Sequence, residues 1–383
     1  MTEKPKNKPA CLNFSSGPCT KRPGWSVDVL KDALLGRSHR SSEGKLKLNK
    51  AIEDTKELLS IPSDYKVGIV PASDTGAIEM AMWNLLGARP VEVLSWEVFG
   101  KDWKIDIEEQ LKIRESNYHD VEFGLLPDLS KVNFDNDVIF TWNGTTSGVR
   151  VPNADWIPDN RKGLTLCDAT SAVFAQELDW NKLDATSFSW QKVLGGEAGH
   201  GMLILSPRAI EHLKKFTPSW PIPKIFRLTK NGKVIEGVFS GETLNTPSML
   251  CVEDYLDVLS WVKSIGGSKG TIERAEKNFI IIDDWVKKNS WIEFLCLDRN
   301  NLSNTSICLK FEQELAKEDE DVQRDFAKSI GKILEEENVA FDIVNHRNAP
   351  PGLRIWCGAT VEAGDLVALL PWIDWAYFNL INK

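Results

Sequence analysis

The chain is short of the features that most often betray a function. Its 383 residues hold five histidines and seven cysteines, and no two cysteines make a Cys-x-x-Cys pair. An odd number of scattered thiols argues against a disulfide framework and points to a reducing, cytoplasmic setting. No run of about 18 apolar residues occurs, so no membrane-crossing helix is expected. Met1 to Ala10 is rich in lysine and proline and lacks the apolar stretch of a secretory signal; residues 1–12 read as a disordered tail. There is no basic excess. Lysine and arginine number 46 against 55 acids, a formal net charge of −9, which argues against nucleic acid or a membrane surface as partner. Neither a Walker loop nor a Gly-x-Gly-x-x-Gly is present, which weakens nucleotide and dinucleotide readings. No internal repeat is evident and no metal is expected.

What remains is an ordinary globular composition, 42% apolar and 26% charged, in a chain too long for one core and suited to two domains. Leu48, Ile52 and Leu59 fall at helical spacing in an amphipathic stretch over 45–60. From residue 66 short apolar runs alternate with helical patterns: Val67–Val70, Val91–Leu94, Val138–Thr141, Leu164–Cys167, Thr186–Trp190 and Met202–Leu205. That alternation predicts an α/β domain over 13–260 with a mostly parallel sheet. After residue 250 the order changes. Helices are expected over Val252–Ser264, 271–288, 320–336 and 362–380. Strands are expected at Ile292–Leu297, Ser306–Phe311, Val339–Val344 and Leu353–Trp356. This suits a smaller α+β domain over 261–383.

Ligands in such sheets bind where strands end, so polar groups at strand ends carry the argument. Ser187-Phe188-Ser189-Trp190-Gln191-Lys192-Val193-Leu194-Gly195-Gly196 puts an amine after a strand, and Leu164-Thr165-Leu166-Cys167-Asp168 puts a carboxylate at the end of another. Enzymes that use pyridoxal 5'-phosphate (PLP) need that pair, a lysine to bind the cofactor covalently and an acid to face its pyridine nitrogen. Alone, a lysine after a strand is a solvated surface residue in most proteins. Pro71-Ala72-Ser73-Asp74-Thr75-Gly76-Ala77 links a strand to a helix with small residues, a place where a phosphate can meet free backbone N–H groups; an ordinary helix cap reads the same way. Thr141-Trp142-Asn143-Gly144-Thr145-Thr146-Ser147-Gly148 is a polar loop after a third strand. His39-Arg40 and His346-Arg347, with Arg354 close behind the second, are two basic clusters in an acidic chain, and arginine suits carboxylate and phosphate.

Taken in order, Asn13-Phe14-Ser15-Ser16-Gly17-Pro18, Ser38-His39-Arg40, Asp168, Gln191-Lys192, Asn245-Thr246-Pro247 and His346-Arg347…Arg354 resemble the phosphoserine aminotransferase family of class V PLP enzymes, over nearly the whole chain. The resemblance implies the aspartate aminotransferase-like fold (type I) and amino transfer from L-glutamate to 3-phosphohydroxypyruvate, giving O-phospho-L-serine and 2-oxoglutarate. It extends to a related four-carbon phosphorylated oxo acid of pyridoxine synthesis. It implies Lys192 as the cofactor-binding lysine, Asp168 at the ring nitrogen, Phe99 stacked on the ring, Thr145 at the 3-oxygen, and Asp74, Thr75 and Gln191 at the phosphate. His39, Arg40, His346, Arg347 and Arg354 would hold substrate anions. Asn245 and Thr246 would reach a neighbouring subunit, so a homodimer with shared sites is implied. The phosphate loop departs from the glycine- and arginine-rich form of many bacterial members. Alternatives are another class V enzyme such as a serine–glyoxylate aminotransferase, or a catalytically silent scaffold of the same fold.

Overall fold

Val, Ile and Leu runs that are apolar on both faces can only be satisfied between two layers of helices. In the computed structural model, which describes residues 3–382, seven strands, most of them buried on both faces, form one sheet. They are β1 (Lys66–Pro71), β2 (Val91–Ser95), β3 (Ser116–Asp120), β4 (Asp137–Thr141), β5 (Thr165–Asp168), β6 (Ala185–Ser189) and β7 (His200–Leu205), in the spatial order β1-β7-β6-β5-β4-β2-β3. β7 runs antiparallel to both its neighbours, and the remaining pairings are parallel. Every residue of β2, β4, β5, β6 and β7 is buried. Helices α1 (Ser42–Leu58), α2 (Ser73–Leu85), α3 (Val98–Ile105), α4 (Pro207–Lys215) and α5 (Met249–Ser264) accompany it, α1 packing on α5 and α2 crossing β7, β6 and β5.

A second, three-stranded antiparallel sheet holds β8 (Ile292–Phe294), β9 (Ser306–Phe311) and β10 (Leu353–Trp356). Helices α6 (Ser268–Val286), α7 (Glu320–Glu336) and α8 (Ala363–Ile381) go with it, α8 packing on both others. Trp291 stacks on Tyr377 with ring centroids 3.9 Å apart. Among the described residues no helix is long and apolar enough to cross a membrane.

Two expectations are corrected, and one strand was not anticipated. Val339–Val344 is no strand; only isolated bridges form, Phe341 to Asn13 and Val344 to Leu353. β3, with the polar sequence Ser-Asn-Tyr-His-Asp, is a strand nonetheless. The tail is placed rather than free over residues 3–12. The Asn7 carbonyl accepts from Trp372 Nε1 at 2.8 Å, and the Ala10 amide donates to Asp365 at 2.6 Å. Lys4 and Lys8 lie over the Trp372 ring, at 5.7 and 5.4 Å. The aromatic face of α8 supplies the partner that a polar, proline-rich segment could not be expected to have.

Candidate active site

The parallel strands end in register: Thr141 pairs with Asp168, and Asp168 with Ser187. Beyond β6 the chain turns through Trp190, which is fully buried and stacked on Tyr255 of α5 (4.3 Å, 8°). That anchor fixes Gln191 and Lys192 at the sheet edge. Lys192 Nζ donates to the Ser16 carbonyl at 2.5 Å. Ser16 belongs to a segment that leaves the second sheet at Phe14, whose carbonyl accepts from Trp356 N, and reaches the lysine loop where Cys19 N meets the Gln191 carbonyl at 2.8 Å. Gly17 passes so close that a Cβ there would stand 2.6 Å from Lys192 Nζ, and its φ of +149° is a glycine conformation.

Lys192 and Asp168 line one cavity of about 220 Å³ with Gly17, Phe99, Thr145 and Gln191. One Asp168 oxygen accepts from Thr170 N (3.0 Å) and the other from the Trp103 indole (3.3 Å), so the carboxylate cannot swing. Phe99, in the first turn of α3, lies with its ring centroid 5.9 Å from Lys192 Nζ. Glu97 ties α3 to the Thr145 loop, accepting from Gly100 N at 2.8 Å and from the Thr146 hydroxyl at 2.8 Å. Thr145 Oγ1 donates to Ser171 (3.0 Å), and its carbonyl accepts from Ser306 on β9 (2.6 Å), which binds the cavity wall to the second sheet.

α2 starts abruptly. Ala72 and Ser73 both take left-handed φ values, +67° and +53°, a conformation that costs an ordinary residue about 1–2 kcal/mol. The turn fits because β7 offers Gly201 beneath it; a Cβ there would stand 2.2 Å from the Ser73 carbonyl. No side chain caps the helix, and its first turn, with Ser73, Asp74 and Thr75, opens into the cavity.

Electrostatics follow from this burial. Burial, helped by the Arg354 charge, holds the Lys192 amine below the ordinary lysine value. Burial pushes Glu97 up to about 7, and Asp168 adds to the shift. Burial, then the charges of Arg354, Arg347 and Lys192, keep His346 below the ordinary histidine value. Thr141 Oγ1, Thr170 Oγ1, Asp74 Oδ1 and Gln191 Oε1 are buried around the cavity without a hydrogen-bond partner. Such atoms cost about 1–3 kcal/mol each if left alone. Hydroxyls, an amide, a helix start, a fixed carboxylate and an amine in one space make a donor set that fits a phosphorylated pyridine aldehyde.

Of the residues singled out in the sequence, Lys192, Asp168, Asp74, Thr75, Phe99, Thr145 and Gln191 come together here. His346 stands at the edge, its ring 6.4 Å from Phe99. Arg354, on β10 opposite Cys308, has its Nε buried and unpartnered. Arg347 is exposed. His39 and Arg40 are elsewhere, lining a separate cavity of about 180 Å³ with Lys45, Gly241, Glu242 and Thr243. Asn245 and Thr246 follow that same segment and are exposed. Trp103, Asn143, Thr170 and Ser171 also line the main cavity and were not assigned from the sequence. Trp103 stands four residues after Phe99, one helical turn, and that spacing was the available signal.

No family model matches the chain. It is 56% identical over 374 residues to the phosphoserine aminotransferase of Methanosarcina mazei, covering 98% of this chain and 99% of that one. Its fold matches a phosphoserine aminotransferase from Cytophaga hutchinsonii with a TM-score of 0.80 at 22% identity, covering 95% of this chain and 98% of the other. A PLP-bound phosphoserine aminotransferase from Trichomonas vaginalis matches with a TM-score of 0.76 at 15% identity, over 95% and 99%. At those identities the two structures share the α/β aspartate aminotransferase-like fold.

Proposed function

The chain belongs to the phosphoserine aminotransferase family, and on that premise we propose that it moves the amino group of L-glutamate to 3-phosphohydroxypyruvate, yielding O-phospho-L-serine and 2-oxoglutarate. The family is PLP-dependent, and the cofactor, when bound, supplies an electron sink for the bond broken at the substrate Cα. The observation that carries the reading is the Lys192 amine and the Asp168 carboxylate on one cavity.

The chain's own residues divide the work. Lys192 Nζ, with its proton affinity lowered by burial, is the base that takes the substrate Cα proton and later returns it. Asp168, fixed by Thr170 N and Trp103, holds a negative charge where a ring nitrogen would stand. Phe99 covers one face of the cavity, and Thr145 offers its hydroxyl to the 3-oxygen. The first turn of α2, Thr75 and Gln191 hold the cofactor phosphate. Arg354, its Nε unpartnered, anchors the substrate α-carboxylate, while His346 and Arg347 stand ready for the distal anion.

We also propose a homodimer with composite sites. His39 and Arg40 share a surface with the segment that carries Asn245 and Thr246, and that surface is apart from their own chain's Lys192 cavity. A two-fold arrangement lets one chain's exposed groups complete its partner's cavity. The testing experiment compares phosphoserine with serine as amino donor, followed by 2-oxoglutarate consumption. A kcat/KM for phosphoserine at least tenfold higher supports the assignment. Equal values overturn it in favour of a class V enzyme of serine–glyoxylate type.

A further inference from the structure

Asp74 has no obvious business in a phosphate-binding turn. A carboxylate there would repel the anion that the helix start attracts. Its carboxyl lies buried beside Asp168 and the hydroxyls of Ser187 on β6 and Thr170, on the wall of the same cavity. Asp74 is 7% exposed and Asp168 4%. Among the described residues no cation faces Asp74, which is met by Asp168 and Cys167 on β5, by Ser187 and by Thr170. Asp168 in turn feels Lys192 and Glu97. Asp168 spends one oxygen on Thr170 N and one on Trp103, while Asp74 Oδ1 has no partner at all.

Two carboxyls sharing a buried site cannot both ionise; they hold one proton between them. We propose that Asp74 is a positioning residue for Asp168, a neutral acid whose proton serves the pair, so that a single negative charge faces the cavity while the helix start remains free for an anion. The proton belongs to Asp74 because Asp168 already accepts from two N–H groups, whereas Asp74 has only hydroxyls near it. The direction of the Asp74 shift agrees: burial, then the Asp168 charge, raise it well above the ordinary carboxylate range. Its role toward PLP rests on the functional reading above; the protonation state does not.

Two variants separate the possibilities. Asp74→Asn keeps a neutral donor of the same shape, and Asp74→Ala removes it. The sign of the pH effect follows from the raised value. The folded chain holds this proton more tightly than the unfolded chain, so its contribution to stability is lost as pH rises from about 4 toward the folded value. The Asn variant does not titrate, so its apoprotein's melting midpoint is expected to gain on that of the wild-type apoprotein as pH rises above about 4. Groups common to both proteins, Lys192 and Glu97 among them, largely cancel in that difference. A wild-type minus Asp74→Asn infrared difference spectrum at pH 8 is expected to contain a protonated-carboxyl band. In equilibrium dialysis PLP is expected to bind the Asn variant within about threefold of wild type, and the Ala variant roughly ten- to a hundredfold more weakly. Absence of the infrared band, or an Asn variant as impaired in PLP binding as the Ala variant, overturns the proposal. If wild-type protein bound no PLP, the reading of function would fall, and the infrared band would still decide the dyad.

Discussion

The Lys192 cavity and the His39–Arg40 surface are both rich in polar side chains, yet they are built in opposite ways. Around Lys192 the groups set toward the cofactor ring are held by second ones: Asp168 by Trp103 and Thr170, Thr145 by Ser171, and the Thr145 carbonyl by Ser306. At the other surface the Asn245 side chain bonds only the carbonyl of its neighbour, at 3.3 Å, and Lys45 pairs with Glu242 in the open. Preorganisation within one chain serves chemistry, which needs fixed distances. Loosely held anion-binding groups suit a site completed from outside, where binding supplies the order. On the homodimer proposed above, that contrast is what the two halves of one shared site would show.

The most drastic way to test that division is to destroy one half. Lys192→Ala is expected to lower turnover by at least ~10³-fold, since the chain offers no second amine in the cavity. Mixed with an inactive Asn245→Ala/Thr246→Ala variant under conditions that exchange subunits, it is expected to regain activity, because one site of each mixed dimer is intact. Mixed dimers that form and stay inactive would show that both halves act within one chain.

Arg40 and Arg354 compare the halves through substrate. Arg354→Gln is expected to raise KM for phosphoserine and glutamate alike, by about 2–3 kcal/mol where the arginine's carboxylate partner is left unpaired. Arg40→Gln is expected to cost phosphoserine more than glutamate and to leave PLP affinity unchanged. Steady-state kinetics with both donors checks the contrast; identical penalties for the two variants would remove the distinction between an α-carboxylate anchor and a distal-anion reader.

How much of this was legible beforehand differs between the regions in a physical way. The buried strands announce themselves, because residues apolar on both faces leave little choice of structure. The positions of Lys192 and Asp168 were legible because each stands just where such a strand stops, while Thr145 is named only through the resemblance. β3 was not, since an edge strand is held by its backbone. Its polar side chains find a partner that no local pattern shows, Glu92 on β2, which accepts from Asn117 at 2.7 Å and meets His119 Nε2 at 2.6 Å. Val339–Val344 has strand composition yet forms only bridges, because its pairing is split between the distant Asn13, at Phe341, and Leu353 of β10, at Val344. The resemblance puts Asp74 at the phosphate, and its burial beside Asp168, 94 positions away, is something the loop sequence does not show. Motif position was readable; side-chain direction was not.

Glu97 sharpens the comparison from the preorganised side. Its raised value, about 7, means that the folded chain protonates it more readily than the unfolded chain does. Stability from this group is complete below about pH 4, declines as pH rises, and is gone above about 7; a shift of that size is worth roughly 3 kcal/mol. Glu97→Gln retains an acceptor for Gly100 N and a partner for Thr146. The apoprotein variant is therefore expected to lose less stability than wild type between pH 5 and pH 8 in denaturant melts. Parallel curves for the two proteins would show that Glu97 is ionised in the fold at no cost.

The smallest expected effect on stability falls on Gly17→Ala, and it separates packing from chemistry most cleanly. The backbone there has φ +149°, a region that costs a residue with a side chain of order 1–3 kcal/mol. The added methyl meets the flexible end of Lys192, at 2.6 Å from Nζ, and not a rigid backbone. The fold therefore yields at the lysine. The amine leaves the Ser16 carbonyl, and a base displaced by about an ångström loses on the order of a hundredfold in rate. The expected result is a protein that melts only slightly early, binds PLP, and turns over about a hundredfold more slowly, with KM for phosphoserine nearly unchanged because the anion-binding arginines are untouched. A variant that unfolds would show that Gly17 serves the backbone alone. A variant with wild-type kcat would show that the contact with Ser16 does nothing for the amine.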